Sequence, residues 1–288
     1  MKLTKLFGVA ALATVATFAL AACGSSKSSK SSDKDGVTTV KVGVMNLSDT
    51  EEARWKEVQK NLDDAKANIK LEFTQFTDYS QPNQAVRDGD VDINAFQHYN
   101  YLENWNKENS ADLVSVADTY IAPIRLYSGT KDGKNKYTDV KDIPEKGTIA
   151  VPNDGSNESR AIKLLADNGL ITLAETEDLY NLTSIAENPH NFEITELDAA
   201  NLPRSLDDVD AAVINGNYAL EANLNPEKDA LAAELADSDE SYKYINYLVV
   251  KEGNEESTKT KALIAALQND DVKKYIEEKY SGSVIPAF

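Results

Sequence analysis

The sequence carries the same pair of marks twice. Val42-Gly43-Val44-Met45-Asn46 reads as a short apolar strand entering a polar loop, and Ile149-Ala150-Val151-Pro152-Asn153 repeats that plan 107 residues on. Asp90-Val91-Asp92, followed by Phe96-Gln97 and Tyr101, recurs 118 residues on as Asp208-Val209-Asp210, followed by Ile214-Asn215 and Tyr218. Two marks in one order at nearly equal spacing predict two lobes of one design. A chain of 288 residues also has the size at which two cores replace one.

Around these marks, strands alternate with helices. Val40 to Val44 is an alternating strand, and Ser48 or Asp49 can cap a helix from about Glu51 to Leu62. Leu71 to Phe73 is a second strand, residues around Ala85 and Val86 a short helix, and Gly89 to Phe96 a strand continuing into Gln97 to Leu102. The alternation predicts an α/β fold with mainly parallel sheets, whose ligands sit at the carboxyl ends of the strands. Thr119 to Ser128, interrupted by Pro123, suits a crossing between lobes, and Tyr244 to Val250 suits the return. Two crossings make a hinge. The predicted division is lobe 1 at 37–123 and 248–288 and lobe 2 at 124–247. Amphipathic helices at Ser257 to Leu267 and Asp271 to Tyr280 return to lobe 1, with Gly282 capping the last.

The stretch from Thr148 to Leu165 is the richest in chemistry. Pro152 ends a strand, Asn153-Asp154-Gly155-Ser156 turns the chain, and Asn157 is a candidate N-cap for a helix closed by Gly169. That reading puts Arg160 in the first turn, where the helix dipole disfavours a cation. A negative partner is needed: Glu158 or another carboxylate of the chain, or a ligand's carboxylate or phosphate gripped together with Asn157 and helix N–H groups.

The N-terminus sets the compartment. Lys2 and Lys5 precede an apolar run from Leu6 to Ala22 that suits a signal peptide (1–22) better than a membrane span. Leu20-Ala21-Ala22-Cys23-Gly24 is similar to a bacterial lipobox, which implies cleavage before Cys23 and lipidation of its sulfur, placing the protein on the extracytoplasmic face of the cell membrane. Residues 23–36 then form a flexible Ser/Lys tether. Cys23 is the sole cysteine, so the mature fold has no intrachain disulfide. A formal net charge of -18 opposes binding to nucleic acid and to anionic head groups.

Enzyme readings lack machinery. There are two histidines, His98 and His190, no Gly-x-Ser-x-Gly element and no phosphate-cradling glycine loop. The Asp-Val-Asp pairs read as strand and turn acids; they lack calcium-loop spacing. No metal or cofactor is expected. What remains is a binding site without a reactive group. Tyr79, Phe96, His98 and Tyr101 can wall an apolar side chain, while Arg160 with Asn157, Asn215 and Asn217 can hold the polar end of an amino acid.

Several of these residues stand in ordered motifs. Phe76-Thr77-Asp78-Tyr79 with Pro82-Asn83, Asp92 to His98 with Tyr101-Leu102, Pro152-Asn153-Asp154 with Asn157 and Arg160, Asp210 to Ala219, and the terminal Ile285-Pro286-Ala287-Phe288 together resemble the methionine-binding lipoproteins of bacterial ABC importers, the NlpA/MetQ family. The resemblance spans nearly all of the chain after the tether. It implies a two-lobed periplasmic-binding-protein-like fold (type II) that captures methionine and delivers it to a permease and its ATPase, acting as a monomer held to the membrane by its lipid. It also implies that Tyr79, Phe96, His98 and Tyr101 line the side-chain pocket and that Asn157, Arg160, Asn215 and Asn217 hold the amino-acid backbone. Asn100 stands where the family often has proline, and Gly155-Ser156 where it often has Pro-Thr. A Met-containing dipeptide or another amino acid as ligand, a surface adhesin on the same scaffold and an exported enzyme are the alternatives.

Overall fold

The computed structural model describes residues 36–176, 179–236, 241–280 and 282–288. The signal peptide, Cys23 and most of the tether lie outside the described residues. None of the described helices is long and apolar enough to cross a membrane.

The first half runs β1 (Thr38–Met45), α1 (Asp49–Asp64), β2 (Ile69–Phe76), α2 (Pro82–Asp88), β3 (Ile93–His98), α3 (Tyr99–Asn109) and β4 (Leu113–Ile121). The chain then passes through residues 122–124 into β5 (Arg125–Ser128) and a small hairpin, β6 (Thr130–Lys131) with β7 (Lys134–Asn135). The second half follows with β8 (Thr148–Pro152), α4 (Gly155–Asp167), the paired β9 (Thr172–Leu173) and β10 (Ile185–Glu187), β11 (Glu193–Leu197), α5 (Leu202–Ser205), β12 (Ala211–Ile214), α6 (Gly216–Glu221) and β13 (Ala230–Ala233). β14 (Ile245–Lys251), α7 (Thr258–Leu267), α8 (Asp270–Lys279) and β15 (Ile285–Pro286) complete it.

Two sheets result, with orders β15-β4-β14-β3-β1-β2 and β11-β8-β12-β5-β13. Their inner plans coincide. In the first, β1 pairs in parallel with β2 and β3, and in the second β8 pairs in parallel with β11 and β12. The register repeats as well: Val42 faces Ile93 and Ile149 faces Ala211, which stand at the two sequence offsets of 107 and 118. Each sheet also holds one strand that opposes its third, β14 against β3 and β5 against β12. Both arrive directly from a crossing, without the helix that a parallel return requires. The expectation of mainly parallel sheets therefore fails at these two strands, and also at β15, which pairs antiparallel with β4 at the sheet edge. β14 lies wholly in the first sheet, so its first three residues, Ile245 to Tyr247, pair there as well.

The Asp-Val-Asp marks are structural, as read. Lys41 N donates to Asp92 Oδ2 at 2.9 Å, and Thr148 N donates to Asp210 Oδ2 at 2.9 Å. The backbone N–H groups of Asp92 and Asp210 answer to Lys41 O and Thr148 O. Each aspartate thus locks the start of the third strand to the first, at equivalent places in the two sheets.

Helix signals held more closely than strand limits. Ser48 caps α1, accepting from Glu51 N, and Asp49, Glu51 and Glu52 put negative charge in its first turn, where the helix dipole favours it. Its buried face of Trp55, Val58 and Leu62 packs in one core with β1 and with Leu263, Leu267, Val272 and Ile276 of α7 and α8. Gly89, with φ of 82°, ends α2 in the left-handed region, so β3 starts at Ile93 rather than Gly89. Past β3 the expected strand extension is a helix instead, because His98 caps α3 by accepting from Tyr101 N.

The second sheet packs against α4 through Ile149, Val151, Ile162, Leu165 and Val213. Ile162 is fully buried. Ile162→Ala should lower stability by about 2–5 kcal/mol in urea unfolding, and a loss under about 1 kcal/mol would contradict this packing.

Candidate functional site

A third core joins the two sheets. It contains Met45 and Phe96 from the first half and Tyr127, Ala150, Ile214 and Tyr218 from the second. Next to it one cavity opens, lined by Tyr79, Phe96, His98 and Tyr101 and by Asn157, Arg160, Asn215 and Asn217. All eight candidate ligand-binding residues therefore face a common space, the rings donated by one half and the cation and amides by the other.

The ring wall is built by the loop before α2, the end of β3 and the start of α3. Tyr79 lies 5.7 Å from Phe96 and 5.8 Å from Tyr101 between ring centroids, and Phe96 lies 5.6 Å from Tyr101, edge to face. Such tilted contacts are favoured by the ring quadrupoles. Tyr101 Oη donates to Tyr79 O at 2.8 Å, which fixes the Tyr79 loop over the cavity. Tyr79 Oη donates to Asn217 Oδ1 across the halves. Burial pushes both phenols above their ordinary range, so they stay neutral donors.

His98 joins ring wall and amide wall. Tyr101 N donates to His98 Nδ1 at 3.2 Å, which makes Nδ1 the acceptor and leaves the proton on Nε2, 3.2 Å from Asn157 Oδ1. Burial and then the charge of Arg160 lower its pKa to about 3, against the weaker contrary pull of Asn157. The ring is neutral at physiological pH.

The opposite wall departs from the sequence reading at its key turn. Asp154, not Asn157, is the N-cap of α4, with an extended backbone and a carboxylate that accepts from Asn157 N at 3.0 Å. The Asn153–Ser156 turn is thus shorter than expected, because Gly155 already takes the first helical position, one that proline also tolerates. Asn157 falls in the first turn, with its own N–H taken by the cap. Its side-chain Nδ2 donates to both Asp154 oxygens, at 3.0 and 3.1 Å, so Oδ1 points at His98 and accepts from Asn215 Nδ2 at 2.7 Å. Arg160 comes in the second turn, so the dipole conflict read from the sequence does not arise.

The partner of Arg160 is a carboxylate of the chain, but not Glu158, which accepts from Leu182 N at 2.9 Å. It is Glu234: Arg160 Nε donates to Oε1 at 2.7 Å and Nη2 to Oε2, while Nη2 also donates to Ala122 O at 3.0 Å. The ring of Tyr244 covers the guanidinium face at 4.3 Å. Ala122, Glu234 and Tyr244 all belong to the two crossings, and sequence reasoning missed all three as site elements. Tyr244 was legible only as a strand start, and a glutamate 74 residues away carries no local signal. Asn46, Ser48, Glu51 and Trp55, which also line the cavity, were missed too, although Asn46 occupies the loop equivalent to Asn153.

Asn215 and Asn217 flank Gly216, where a Cβ would come 3.0 Å from Ala122 Cβ. That contact explains why glycine is needed to press this turn against the crossing. Among the described residues, three buried polar atoms of cavity-lining side chains have no hydrogen-bond partner: Trp55 Nε1 on α1 and, on this turn, Asn215 Oδ1 and Asn217 Nδ2. Of the two on this turn, one is an acceptor and the other a donor. Left unpaired, each costs about 1–3 kcal/mol, and a ligand presenting an ammonium and a carboxylate would relieve both.

Known proteins are similar to this chain in sequence and fold. The substrate-binding protein of a methionine transporter from Streptococcus pneumoniae is 52% identical in a structural superposition covering 87% of this chain and 96% of that one, with a TM-score of 0.82. A nutrient-binding protein from Burkholderia cenocepacia, solved bound to methionine, is 41% identical over 86% of this chain and 100% of its own, with a TM-score of 0.79. A Pasteurella multocida protein named "Probable D-methionine-binding lipoprotein MetQ" is 37% identical over 286 residues, 99% of each chain. The sequence profile described as NlpA lipoprotein matches residues 40–288. With two sheets of one plan, a cavity between them and a profile match over all but the N-terminal segment, the chain has a two-lobed periplasmic-binding-protein-like fold and belongs to the NlpA lipoprotein family.

Proposed function

We propose that this protein is the substrate-binding component of an ABC importer and that it captures methionine between its lobes. The single observation that carries the reading is the unpaired acceptor and donor on Asn215 and Asn217, set opposite a ring wall. The thioether side chain packs among Tyr79, Phe96, His98 and Tyr101, where sulfur gains from ring contacts. The ammonium meets Asn215 Oδ1, and the carboxylate meets Asn217 Nδ2 and Arg160. The lone pair of His98 is taken by Tyr101 N and burial lowers its pKa to about 3, so the imidazole is a weak base, and the buried phenols stay protonated, which supports binding without catalysis. The two crossings act as the hinge on which the lobes close. Cys23 carries the lipid that holds the monomer at the extracytoplasmic face of the membrane, beside a permease and its ATPase.

Calorimetric titration with L-methionine, D-methionine, methionine sulfoxide, Met-containing dipeptides and other amino acids tests this reading. Methionine is expected to bind with Kd of about 1 μM or tighter, roughly -8 kcal/mol. Silence toward the whole panel at millimolar concentration contradicts it. The anchor is tested separately: Cys23→Ser should move the protein from the membrane fraction to the soluble fraction and abolish incorporation of labelled palmitate. Retention of both contradicts the anchor alone.

A further inference from the structure

Arg160 reaches the cavity already engaged. Its bonds to Glu234 and Ala122 use Nε and Nη2, so the Nη1 side is what a ligand can address. Glu234 is itself pinned to the outgoing crossing: its backbone N donates to Ile124 O at 3.0 Å and its Oε2 accepts from Ile124 N at 3.4 Å. A second buried guanidinium stands nearby. Arg125 donates to Pro123 O at 3.0 Å and Gly282 O at 3.4 Å, and it feels both the negative charge of Glu234 and the positive charge of Arg160. Glu234 is thus the carboxylate that offsets two arginines behind the cavity. The other carboxylates around the cavity are engaged elsewhere: Asp154 is turned toward Asn157 and Ser156, Glu221 accepts from Asn46 Nδ2 at 2.9 Å, and Glu51 pairs with Arg54 at 2.6 Å.

We propose that Glu234 is a positioning residue that makes the site select a zwitterion over an anion: it aims Arg160 at the ligand carboxylate and cancels the surplus positive charge that would otherwise favour a ligand lacking an ammonium group. This rests on the methionine reading above. A bidentate carboxylate fixes the guanidinium plane, and Tyr244 fixes its face, so Arg160 presents one edge rather than a mobile charge. Without the negative charge, Arg160 on the cavity wall and Arg125 behind it leave an uncompensated positive charge beside a net-neutral amino acid, and an anion of the same shape gains. The role is assigned through Arg160, since Glu234 stands behind the guanidinium and not on the cavity wall.

The test compares L-methionine with 2-hydroxy-4-(methylthio)butanoate, its 2-hydroxy analogue, by calorimetry on the wild-type protein, E234Q and E234D. The wild type should prefer methionine, and E234Q should move the affinity ratio toward the hydroxy acid by about tenfold or more. E234D keeps the charge but is too short for the same two-bond grip, so both affinities should fall while the ratio stays near the wild-type value. A ratio that E234Q leaves unmoved, with both affinities lowered alike, makes Glu234 merely structural and overturns the inference; so does an E234D ratio that shifts as far as that of E234Q. Should E234Q fail to fold, equal affinity of the wild type for the two probes also overturns it. Wild-type protein that binds neither probe contradicts the methionine reading itself.

Discussion

Replacing Arg160 with alanine should weaken methionine binding by about 2–5 kcal/mol, roughly 30-fold or more, because it removes one partner of a buried, hydrogen-bonded charge contact. Two effects add. The ligand carboxylate loses its charge-assisted donor, and Glu234, whose side chain is only 15% exposed, loses the guanidinium that satisfies both its oxygens. The second effect acts on the free protein too, so Arg160→Ala should also lower stability in urea unfolding. Arg160→Lys separates the terms, since it restores the charge without the planar fork and should recover part of the affinity. Calorimetry with L-methionine checks the outcome. Unchanged affinity in Arg160→Ala would mean that the carboxylate is held elsewhere.

The second large effect is the pH dependence set by His98. In the folded protein its pKa is lowered to about 3, whereas in the unfolded chain it sits near 6.5. Between those values the unfolded state holds one more proton than the folded state, so acid favours unfolding. The stability that His98 contributes is complete above pH 6.5 and declines as pH falls toward 3, at about 1.4 kcal/mol per pH unit at most. Burial acts the other way on Asp154 and Glu158, whose raised pKa values make the folded state the more readily protonated one. A comparison with His98→Asn isolates the histidine. From pH 7.5 to 4.5 the wild type should lose about 2–3 kcal/mol more than the variant in urea unfolding. Parallel profiles would show that His98 is not held neutral by its surroundings.

Much of this architecture is legible in the chain because the two sheets reuse one plan. The offsets that align Val42 with Ile149 and Asp90 with Asp208 also align the strand registers and the two aspartate locks. The ring wall was readable for a related reason: Phe96, His98 and Tyr101 fall where a third strand meets the following helix, close together in sequence. The reading failed where a longer-range partner decides. β5 and β14 run against the parallel strands because each enters straight from a crossing, which no local propensity reports. The cap of α4 shifted from Asn157 to Asp154 because both residue types cap well and the choice depends on where Pro152 ends its strand. Glu234 was invisible as the partner of Arg160 because only the return crossing brings it there.

The most direct measurement is a crystal structure of the protein grown with L-methionine. The thioether is predicted among Tyr79, Phe96, His98 and Tyr101, the ammonium within hydrogen-bond distance of Asn215 Oδ1, and the carboxylate on Arg160 and Asn217 Nδ2. Methionine bound with its carboxylate away from Arg160, or outside the ring wall, would contradict the account.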